Sequence, residues 1–331
     1  MVGEAMINMS LDGTAQVVLG CSPFLAGRQF ADRRERYLNT FEGKPDAIWD
    51  VWTAFLESGG RALHLVDEDR LVTAFENLDL QGRQPEVWLT ISGDAERWCQ
   101  WASAHGGTYV FRHASQVDGG EDLAEFKSIA VAYGLRPGAA THSPGRTLCS
   151  RIDPTLDSDC AFLIPFNPVE FCMDVPPLEL HAKLSGHPAV IAMMPLGSGR
   201  VSFLEGAGFA GIHFARLMIG TGDPRHAREI ARLPEFLDVL RLSRTLQRTR
   251  TPHLDISESS AEVVLLRDHR GVRLSGATVA LWHRLAEPCA LRDLIKWASE
   301  ESRMDPILVN PGVAAALLAL IRLGAVEGHR S

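Results

Sequence analysis

The feature that most constrains the fold is a repeated alternation of short apolar runs with helix-like stretches. Helical segments such as PDAIWDVWTAFLESGG separate most of the runs, and several of them end in glycine, a residue suited to a left-handed helix cap. Strand alternating with helix implies parallel pairing, and eight such units predict an α/β fold, a closed (β/α)8 TIM barrel over residues 15–245. An open doubly wound sheet is the alternative, but no GxGxxG follows the first strand. The eight runs are QVVLGC, RALHLV, EVWLTI, GTYVFRH, LRPGAAT, CAFLIPF, PAVIAMM and FARLMIG.

The charge and cysteine pattern excludes several classes of protein. The chain has 331 residues and a formal net charge of −8, which argues against a mainly electrostatic nucleic-acid binder. It contains no apolar run of about eighteen residues, so we expect no membrane partner. The N-terminal stretch MVGEAMINMSLDG lacks a basic head followed by an apolar segment, so no secretion signal is expected. The cysteines are scattered without a CxxC pair, which is typical of reduced thiols and predicts a cytoplasmic protein.

The sequence changes character after residue 245. The stretch LRLSRTLQRTRTP is typical of a basic helix leading into a linker. Three strand-like runs then follow, HLDIS, AEVVLLRD and GVRLSG, and after them three helical stretches, GATVALWHRLA, ALRDLIKWASEES and PGVAAALLALIRLG. Residues 252–331 are therefore predicted to form a small winged-helix-like α+β domain.

The barrel segment resembles the aldo-keto reductase superfamily in VVLGCSPFLAGRQF, IPFNPVEF, VIAMMPLGSGR and MIGTGDPRHAREI. TYVFRHAS resembles the fourth strand of that family, which implies that His113 is an active-site histidine. The family's Tyr and Lys do not carry over, because ALHLVDEDRL has no tyrosine and VWLTISGD has no lysine. In that chemistry the tyrosine donates a proton and the lysine lowers its pKa. We therefore expect no ordinary NADPH-dependent carbonyl reduction, and NADPH is not expected as a cofactor.

Three histidines stand at or near predicted strand ends, which converge over the mouth of a barrel. His64, His113 and His142, with Asp67, form the predicted catalytic set. With Glu68 in place of Asp67, the same histidines form a predicted metal set suited to Zn or Fe. The alternative is that these histidines are hydrogen-bonded residues of the rim, and no HxH or HxxxE spacing supports the metal.

The loops PLGSGR and IGTGDPRH follow the seventh and eighth predicted strands, where barrels often bind phosphate. In the resembled family these loops hold the dinucleotide phosphates. The alternative is a tight turn that needs glycine for its geometry alone. The predicted cofactor-binding residues are Gly197, Gly199, Arg200, Gly220, Thr221, Gly222 and Arg225.

Two features near the first strand favour structural interpretations. Cys21 is a possible nucleophile, but a single cysteine is more often a small buried hydrophobic residue. The charged stretch RQFADRRER is predicted to be a solvated surface.

The segment EVVLLRDHRGVRLSGATVALWHRLAEPCALRDLIKWASEE, continuing to LLALIRLGAVE, resembles PqqD-like domains, the precursor-recognition elements of ribosomal-peptide maturation. The resemblance implies that a leader peptide adds a strand to the sheet edge, at AEVVLLRD or GVRLS, and packs against a helix. A DNA-binding winged helix is the alternative, but no strongly basic recognition helix is present. The predicted peptide-binding residues are Val264, Leu266, Val272, Leu274, Trp282, Leu317 and Leu320.

Together these patterns predict a peptide-modifying enzyme of ribosomal-peptide maturation, with metal assistance as one option. A leader peptide is the expected partner, and another maturation enzyme is a further possible one. The first alternative is an aldo-keto reductase-like barrel that binds a nucleotide or a phosphorylated small molecule. The second is a non-catalytic protein that delivers a peptide to another enzyme.

Overall fold

Eight parallel strands close into a barrel in chain order, with β1 pairing both β2 and β8. The computed structural model describes residues 14–80, 82–148, 159–184, 187, 189–250, 253–255, 262–267 and 270–329. The predicted (β/α)8 barrel is confirmed, and each predicted run contains one strand. The strands are β1 (Gln16–Gly20), β2 (Ala62–Val66), β3 (Glu86–Ile91), β4 (Gly107–Arg112), β5 (Arg136–Ala140), β6 (Ala161–Pro165), β7 (Val190–Met193) and β8 (Arg216–Gly220).

Helices connect successive strands, and two short 3-10 segments, Ser22–Leu25 and Arg28–Arg33, follow β1 before the first helix. A third 3-10 turn, Gly197–Gly199, follows β7. The helices of this half are α1 (Arg34–Phe41), α2 (Pro45–Glu57), α3 (Asp69–Glu76), α4 (Ala95–Ala104), α5 (Ala114–Val117), α6 (Ala124–Ala132), α7 (Pro144–Leu148), α8 (Pro177–Leu184), α9 (Phe203–His213) and α10 (Pro224–Leu242).

The barrel strands are buried on both faces, which explains why they are nearly continuous apolar runs. Inside the barrel, side chains such as Trp88, Phe111 and Ile191 form a closed cluster. On the outer face, residues such as Leu89 and Phe162 pack against the surrounding helices. The barrel interior is therefore filled with side chains, and space for a ligand remains only above them, at the mouth.

The C-terminal part contains two small antiparallel sheets and three helices. One sheet has the order β10 (His253–Asp255), β11 (Glu262–Arg267), β12 (Arg270–Ser275), and the other pairs β9 (Thr245–Arg248) with β13 (Val326–His329). The three predicted helices are present, and the winged-helix arrangement stays a prediction. They are α11 (Ala277–Arg284), α12 (Leu291–Ser302) and α13 (Pro306–Arg322).

The prediction of a basic helix over LRLSRTLQRTRTP is wrong for its central part. α10 ends at Leu242, and residues 245–248 form β9 instead. Leu246 is buried, and its backbone N–H donates to the carbonyl of Cys289, 2.8 Å away, so tertiary pairing overrides local helix propensity here. Residues 251 and 252 of the predicted linker lie outside the described residues. Because β9 pairs with β13, the segment directly after the barrel joins the last strand of the chain.

Helix α13 packs against barrel helix α9 at very close range. A Cβ placed on Gly208 of α9 would lie 3.0 Å from the Cβ of Ala314 in α13. At the other end of this contact, Asn310 Nδ2 lies 3.5 Å from His213 Nε2 in a buried position. Glycine at residue 208 therefore allows the close approach of the two helices, which holds the C-terminal helices against the flank of the barrel.

Two further predictions concern compartment. Within the described ranges, no helix has the length and apolar character needed to cross a bilayer. Among the described residues, Cys21, Cys99, Cys160, Cys172 and Cys289 form no disulfide, and the cytoplasmic location stays a prediction. The stretch in which no secretion signal was expected, residues 1–13, lies outside the described residues, as does Cys149.

Candidate active site at the barrel mouth

A cavity of about 410 Å³ opens at the mouth of the barrel. Its floor is apolar and is formed by Ala140, Leu163, Met193 and Met218. One wall carries polar side chains from the loops and strands β2 to β5, and the opposite wall comes from loops after β1, β7 and β8. An apolar cavity with a few convergent polar groups is the usual form of a small-molecule site.

The three predicted histidines, His64, His113 and His142, all line this cavity. The convergence of strand ends over the mouth therefore brings these three side chains into one cavity, and their catalytic role stays a prediction. The surroundings of the three rings differ, however, and they suit each histidine to a different role.

His64 is held on both ring nitrogens. Its Nε2 lies 2.8 Å from Thr90 Oγ1, and its Nδ1 lies 3.7 Å from Cys21 Sγ. Burial, with a smaller effect of His113, lowers the pKa of His64 to about 3. His64 is therefore a neutral ring at physiological pH, and both of its nitrogens are already used by the protein.

Cys21 is the thiol partner of that ring. Burial raises the pKa of the Cys21 thiol to about 12. With an imidazole pKa near 3 beside it, the pair is a neutral thiol and a neutral ring. A thiolate–imidazolium pair is what activates a cysteine nucleophile, so this arrangement supports the structural interpretation of Cys21.

His113 directly follows β4 and caps helix α5. Its Nδ1 accepts a hydrogen bond from the backbone N–H of Ser115 at 3.1 Å, and the Ser115 hydroxyl lies 2.9 Å from the same nitrogen. Because Nδ1 acts as an acceptor, the neutral ring carries its proton on Nε2. Partial burial lowers the pKa of His113, so the ring is neutral at physiological pH. The half-buried ring lines the cavity, and we assign its Nε2–H as a hydrogen-bond donor there.

His142 follows β5 and is more exposed than the other two histidines. Its backbone N–H donates to Asp118 Oδ2 at 2.9 Å, and the same carboxylate accepts hydrogen bonds from the hydroxyls of Thr141 and Thr147. Asp118 thereby fixes the loop that presents His142. Partial burial lowers the pKa of His142. Its ring has no hydrogen-bond partner among the described residues and lines the cavity.

Asp67 and Glu68 do not line the cavity. Asp67 accepts hydrogen bonds from the backbone N–H groups of Ser92 and Gly93, so it orders the loop after β3. Its only effect on the histidines is electrostatic, since its charge raises the pKa of His113 against the effect of burial. Asp67 therefore stabilises the loop after β3, whereas the sequence predicted a catalytic role for it in the cavity.

The geometry does not support the predicted metal set of His64, His113, His142 and Glu68. Across the described part of the chain, no group of three or more His, Cys, Asp and Glu side chains is arranged to hold a metal ion. The physical reason is that both ring nitrogens of His64 already have protein partners and that Glu68 forms an ion pair with Arg70 at 3.3 Å. A ligand needs a free lone pair directed at the metal.

The predicted phosphate loops contribute to the cavity only in part. Gly199, Gly220 and Thr221 line it, whereas Gly197, Arg200, Gly222 and Arg225 do not. A Cβ on Gly222 would meet the rings of Phe41 and Tyr37, so packing alone requires glycine there.

The two predicted arginines are occupied elsewhere. The guanidinium of Arg225 pairs with Asp223 at 3.0 Å, and Asp223 also caps the N-terminus of α10 by accepting from the Arg225 N–H. The guanidinium of Arg200 lies 3.8 Å from the ring centre of Phe171 and donates to the carbonyl of Gly197. A carboxylate already occupies the N-terminus of α10, which contradicts the predicted anion site at Arg225.

Residues from the loop after β1 line the cavity, while most described side chains of RQFADRRER, Arg33 included, are exposed as predicted. The lining residues include Gln29, Phe30 and Arg33. Arg33 Nη2 donates to the carbonyl of Gly199 at 3.2 Å, which connects the β1 loop with the β7 loop. The signal that could have identified them is position, because every loop that follows a barrel strand lies at the mouth.

Backbone strain concentrates in the same loops. Among the described residues, seven non-glycine residues have positive φ, and six of them lie in loops after β1, β6 and β7. Met194 (φ 54°) and Ser198 (φ 56°) line the cavity itself. Left-handed conformations of non-glycine residues persist only where surrounding structure enforces them, and they often mark ligand-binding loops.

The predicted peptide-binding residues divide into two groups. Trp282, Leu317 and Leu320 are fully buried core residues, so they do not form an open wall. β11 is the central strand of its sheet, so the edge predicted at AEVVLLRD is wrong and the edge at GVRLS, in β12, is retained.

Around that edge, Val272 and Leu274 share the inner face of the sheet with Leu265 and Val263, which they pair directly. Leu274 is buried, whereas Val272 is only half-buried because it stands at the edge. Val264 and Leu266 lie on the outer face, and Leu266 is 40% exposed.

Comparison with known proteins supports no assignment beyond the fold. No protein-family model and no curated protein sequence matches the chain. Similar solved structures include a candidate aldo-keto reductase from Pseudomonas aeruginosa, with 11% identity, a TM-score of 0.46, and coverage of 69% of this chain and 92% of that one. Aldose reductase from Giardia lamblia shows 11% identity and a TM-score of 0.43, with 67% and 87% coverage. The tryptophan synthase complex from Pyrococcus furiosus shows 11% identity and a TM-score of 0.42, with 69% and 97% coverage. Similarity at this level carries no argument about function, and the barrel itself is established by its strand pairing.

Proposed function

We propose that the protein is a peptide-modifying enzyme of ribosomal-peptide maturation, in which the C-terminal part binds a leader peptide and the barrel mouth acts on the core peptide. The observation that carries the proposal is the presence in one chain of a histidine-walled cavity and a sheet edge, at β12, that pairs with no further strand among the described residues. The first feature suits chemistry on a polar group, and the second suits capture of an extended peptide.

In the cavity, His113 and His142 supply complementary groups. The Nε2–H of neutral His113 donates a hydrogen bond to a carbonyl or developing oxyanion of the core peptide. His142 has a lowered pKa, so it is largely unprotonated at neutral pH and acts as the general base. His64 positions the wall through Thr90 and does not exchange protons at neutral pH. The reaction class is proton transfer at a carbonyl-bearing segment.

At the C-terminal part, β12 offers the leader its free edge. Unpaired N–H and C=O groups of an edge strand form main-chain hydrogen bonds with an added strand. The half-buried side chain of Val272 lies at that edge on the inner face, where an apolar leader residue can cover it. Main-chain pairing gives sequence-tolerant affinity, and the apolar contact with Val272 gives selectivity.

A pair of substitutions at His113 tests the catalytic role. His113→Asn keeps an acceptor that can cap the Ser115 N–H but removes the Nε2 donor, whereas His113→Gln keeps a donor near the Nε2 position and loses the cap. We expect His113→Asn to keep its stability and to lose modification of the precursor peptide by a factor of about 100. The measurement is mass spectrometry of a precursor peptide encoded beside this gene. Unchanged modification by His113→Asn contradicts the catalytic role.

Leader binding is tested separately in the full-length protein. We expect Val272→Asp to weaken binding of the leader peptide at least about tenfold, since it puts a charge where an apolar contact forms. Val131→Asp is the matched control, because Val131 is 63% exposed on barrel helix α6. Equal leader affinity of both variants removes the β12 edge from the proposal. Intact binding without any modification of the peptide indicates the non-catalytic delivery protein instead.

A second candidate function is binding of a phosphorylated small molecule or nucleotide at the barrel mouth. The observation in its favour is that Gly199, Gly220 and Thr221, from the loops after β7 and β8, line the cavity. Barrels often bind phosphate at these loops. Binding of such a ligand without any effect of the leader peptide supports this candidate over the first.

A further inference from the structure

We infer that the cavity contains an oxyanion subsite in which Arg33 binds a carboxylate or a phosphate group of the ligand. The inference rests on the proposal that this cavity is the reaction site, and it specifies the chemical class that the site accepts. It is carried by the placement of Arg33, by the charge of the lining and by a free hydroxyl across the mouth.

Arg33 is exposed and reaches the opposite loop of the mouth. Its Nη2 donates to the Gly199 carbonyl at 3.2 Å. A Cβ on Gly199 would lie against Nη1 of Arg33, so glycine at residue 199 leaves room for the guanidinium in this orientation. Gly199 also has a φ of 90°, which disfavours any other residue. The β7 loop is thus shaped to receive this guanidinium, and the remaining N–H groups of Arg33 stay available to a ligand.

The charge of the cavity lining is one-sided. Among the described residues that line it, Arg33 is the one Lys or Arg and no Asp or Glu is present, while the rings of His64 and His113 are neutral. Arg33 has no carboxylate partner among the residues that the structure describes. Two other arginines near the mouth have carboxylate partners, since Arg112 pairs with Glu121 and Arg225 pairs with Asp223. A guanidinium without a carboxylate partner among the described side chains favours an anionic ligand, and its planar fork matches a carboxylate or phosphate.

A hydroxyl from the β8 loop can complete the subsite. Thr221 Oγ1 accepts a hydrogen bond from the backbone N–H of Asp223 at 3.1 Å, which leaves its own O–H to donate. Thr221 lines the same cavity as Arg33 and His113. A ligand can therefore place its anionic group between the β1, β7 and β8 loops while another part of it reaches the histidine wall. In a peptide this group is a carboxylate, and in a phosphorylated small molecule it is the phosphate.

The test measures binding to the full-length protein by ligand-observed NMR with three probes: inorganic phosphate, N-acetylglycine and its neutral analogue N-acetylglycinamide. We expect at least one anion to bind and the neutral amide to bind at least about tenfold more weakly. Arg33→Gln should weaken anion binding about tenfold, and Arg33→Lys should retain part of it. Arg225→Gln is the matched control, because Arg225 lies in the first turn of α10, directly after the β8 loop, and does not line the cavity; it should change binding less than about twofold.

The outcomes separate the two anion sources and the two proposals. Binding of phosphate alone indicates a phosphorylated ligand, and binding of N-acetylglycine alone indicates a carboxylate such as that of a peptide. Equal binding of the amide, unchanged anion binding by Arg33→Gln, or absence of anion binding at tens of millimolar overturns the inference. Any of these results leaves the role of His113 untouched, since that role is judged by peptide modification in His113→Asn.

Discussion

His64 Nε2 lies 2.8 Å from Thr90 Oγ1, and this contact joins strands β2 and β3 at the wall of the cavity. The ring is 7% exposed, and its other nitrogen faces Cys21. A buried imidazole with both nitrogens occupied cannot rotate freely or accept a proton without breaking a contact. His64 therefore acts as a fixed part of the wall, which leaves His113 and His142 for the chemistry that we propose.

Removing the Thr90 hydroxyl tests this role of His64. Thr90→Val should lower the free energy of unfolding by about 1–3 kcal/mol, because it leaves a buried ring nitrogen without its partner. Thr90→Ser keeps the hydroxyl and should therefore lower the free energy of unfolding less than Thr90→Val does. Urea unfolding of the three proteins gives the comparison. A valine variant as stable as the serine variant contradicts the structural importance of the hydrogen bond.

Stability should fall in mild acid because of His64. Its pKa in the folded protein is about 3, below its ordinary value of 6.5, so under pH 6.5 the unfolded chain binds a proton that the folded chain does not. Above about pH 6.5, this group therefore has no effect on how the free energy of unfolding depends on pH. Between about pH 6.5 and 3, it lowers the free energy of unfolding by about 1.4 kcal/mol for each pH unit. His213, buried near His181 and Arg241, has a pKa well below its ordinary value and acts in the same direction.

The measurement is the free energy of unfolding at pH 7.5, 6 and 5 for the unmodified protein and for His64→Gln. In the variant, the free energy of unfolding should depend less steeply on pH in this range. The difference should correspond to about one proton, since one titrating group is gone. Parallel curves for the two proteins contradict the assignment of the slope to His64.

The barrel could be predicted from the sequence because each strand is buried on both faces. EVWLTI and AFLIP are continuous apolar runs for that reason, and the helices between them are amphipathic. Strand β9 could not be predicted, since TLQR has no apolar alternation and forms a strand only through pairing with β13. Local sequence does not specify a partner 80 residues away.

The sequence predicted part of the set of side chains that line the cavity. It did not predict the roles of these side chains. Strand ends converge by topology, which brought His64, His113 and His142 together. Their roles depend on partners that sequence spacing does not indicate, such as Thr90 for His64 and Ser115 for His113. Arg33 was missed because a charged stretch is usually a solvated surface, and only the position of its loop at the mouth distinguishes it.

Cys21 should be unreactive in the folded protein. With a thiol pKa of about 12, the thiolate fraction at pH 7.5 is on the order of 10⁻⁵ to 10⁻⁴, and the side chain is buried. Brief treatment with iodoacetamide followed by peptide mass spectrometry should leave Cys21 unmodified, whereas the half-buried Cys172 reacts sooner. The same treatment in denaturant should modify both. Fast alkylation of Cys21 in the native protein, abolished by His64→Ala, would restore it as a nucleophile.

Two glycines test how firmly the C-terminal helices are held against the barrel. Gly208 of α9 faces α13, and a Cβ there would lie 3.0 Å from Ala314 Cβ and 3.1 Å from the Ala314 carbonyl carbon. Backbone atoms cannot yield easily, so Gly208→Leu should lower the free energy of unfolding by about 1–3 kcal/mol or more. Gly312 of α13 is exposed with open space around it, so Gly312→Leu should be neutral or stabilising by up to about 1 kcal/mol.

The readouts are urea unfolding and limited proteolysis. If the contact between α9 and α13 holds the two parts of the chain together, Gly208→Leu should separate the unfolding into two transitions and open cleavage sites after residue 242, where α10 ends. Gly312→Leu is also a glycine-to-leucine substitution, in the second helix of the same interface, but its side chain meets open space. It should therefore keep one unfolding transition and the original cleavage pattern. Similar behaviour of both variants would mean that helix propensity, and not the close approach of α9 and α13, decides the effect.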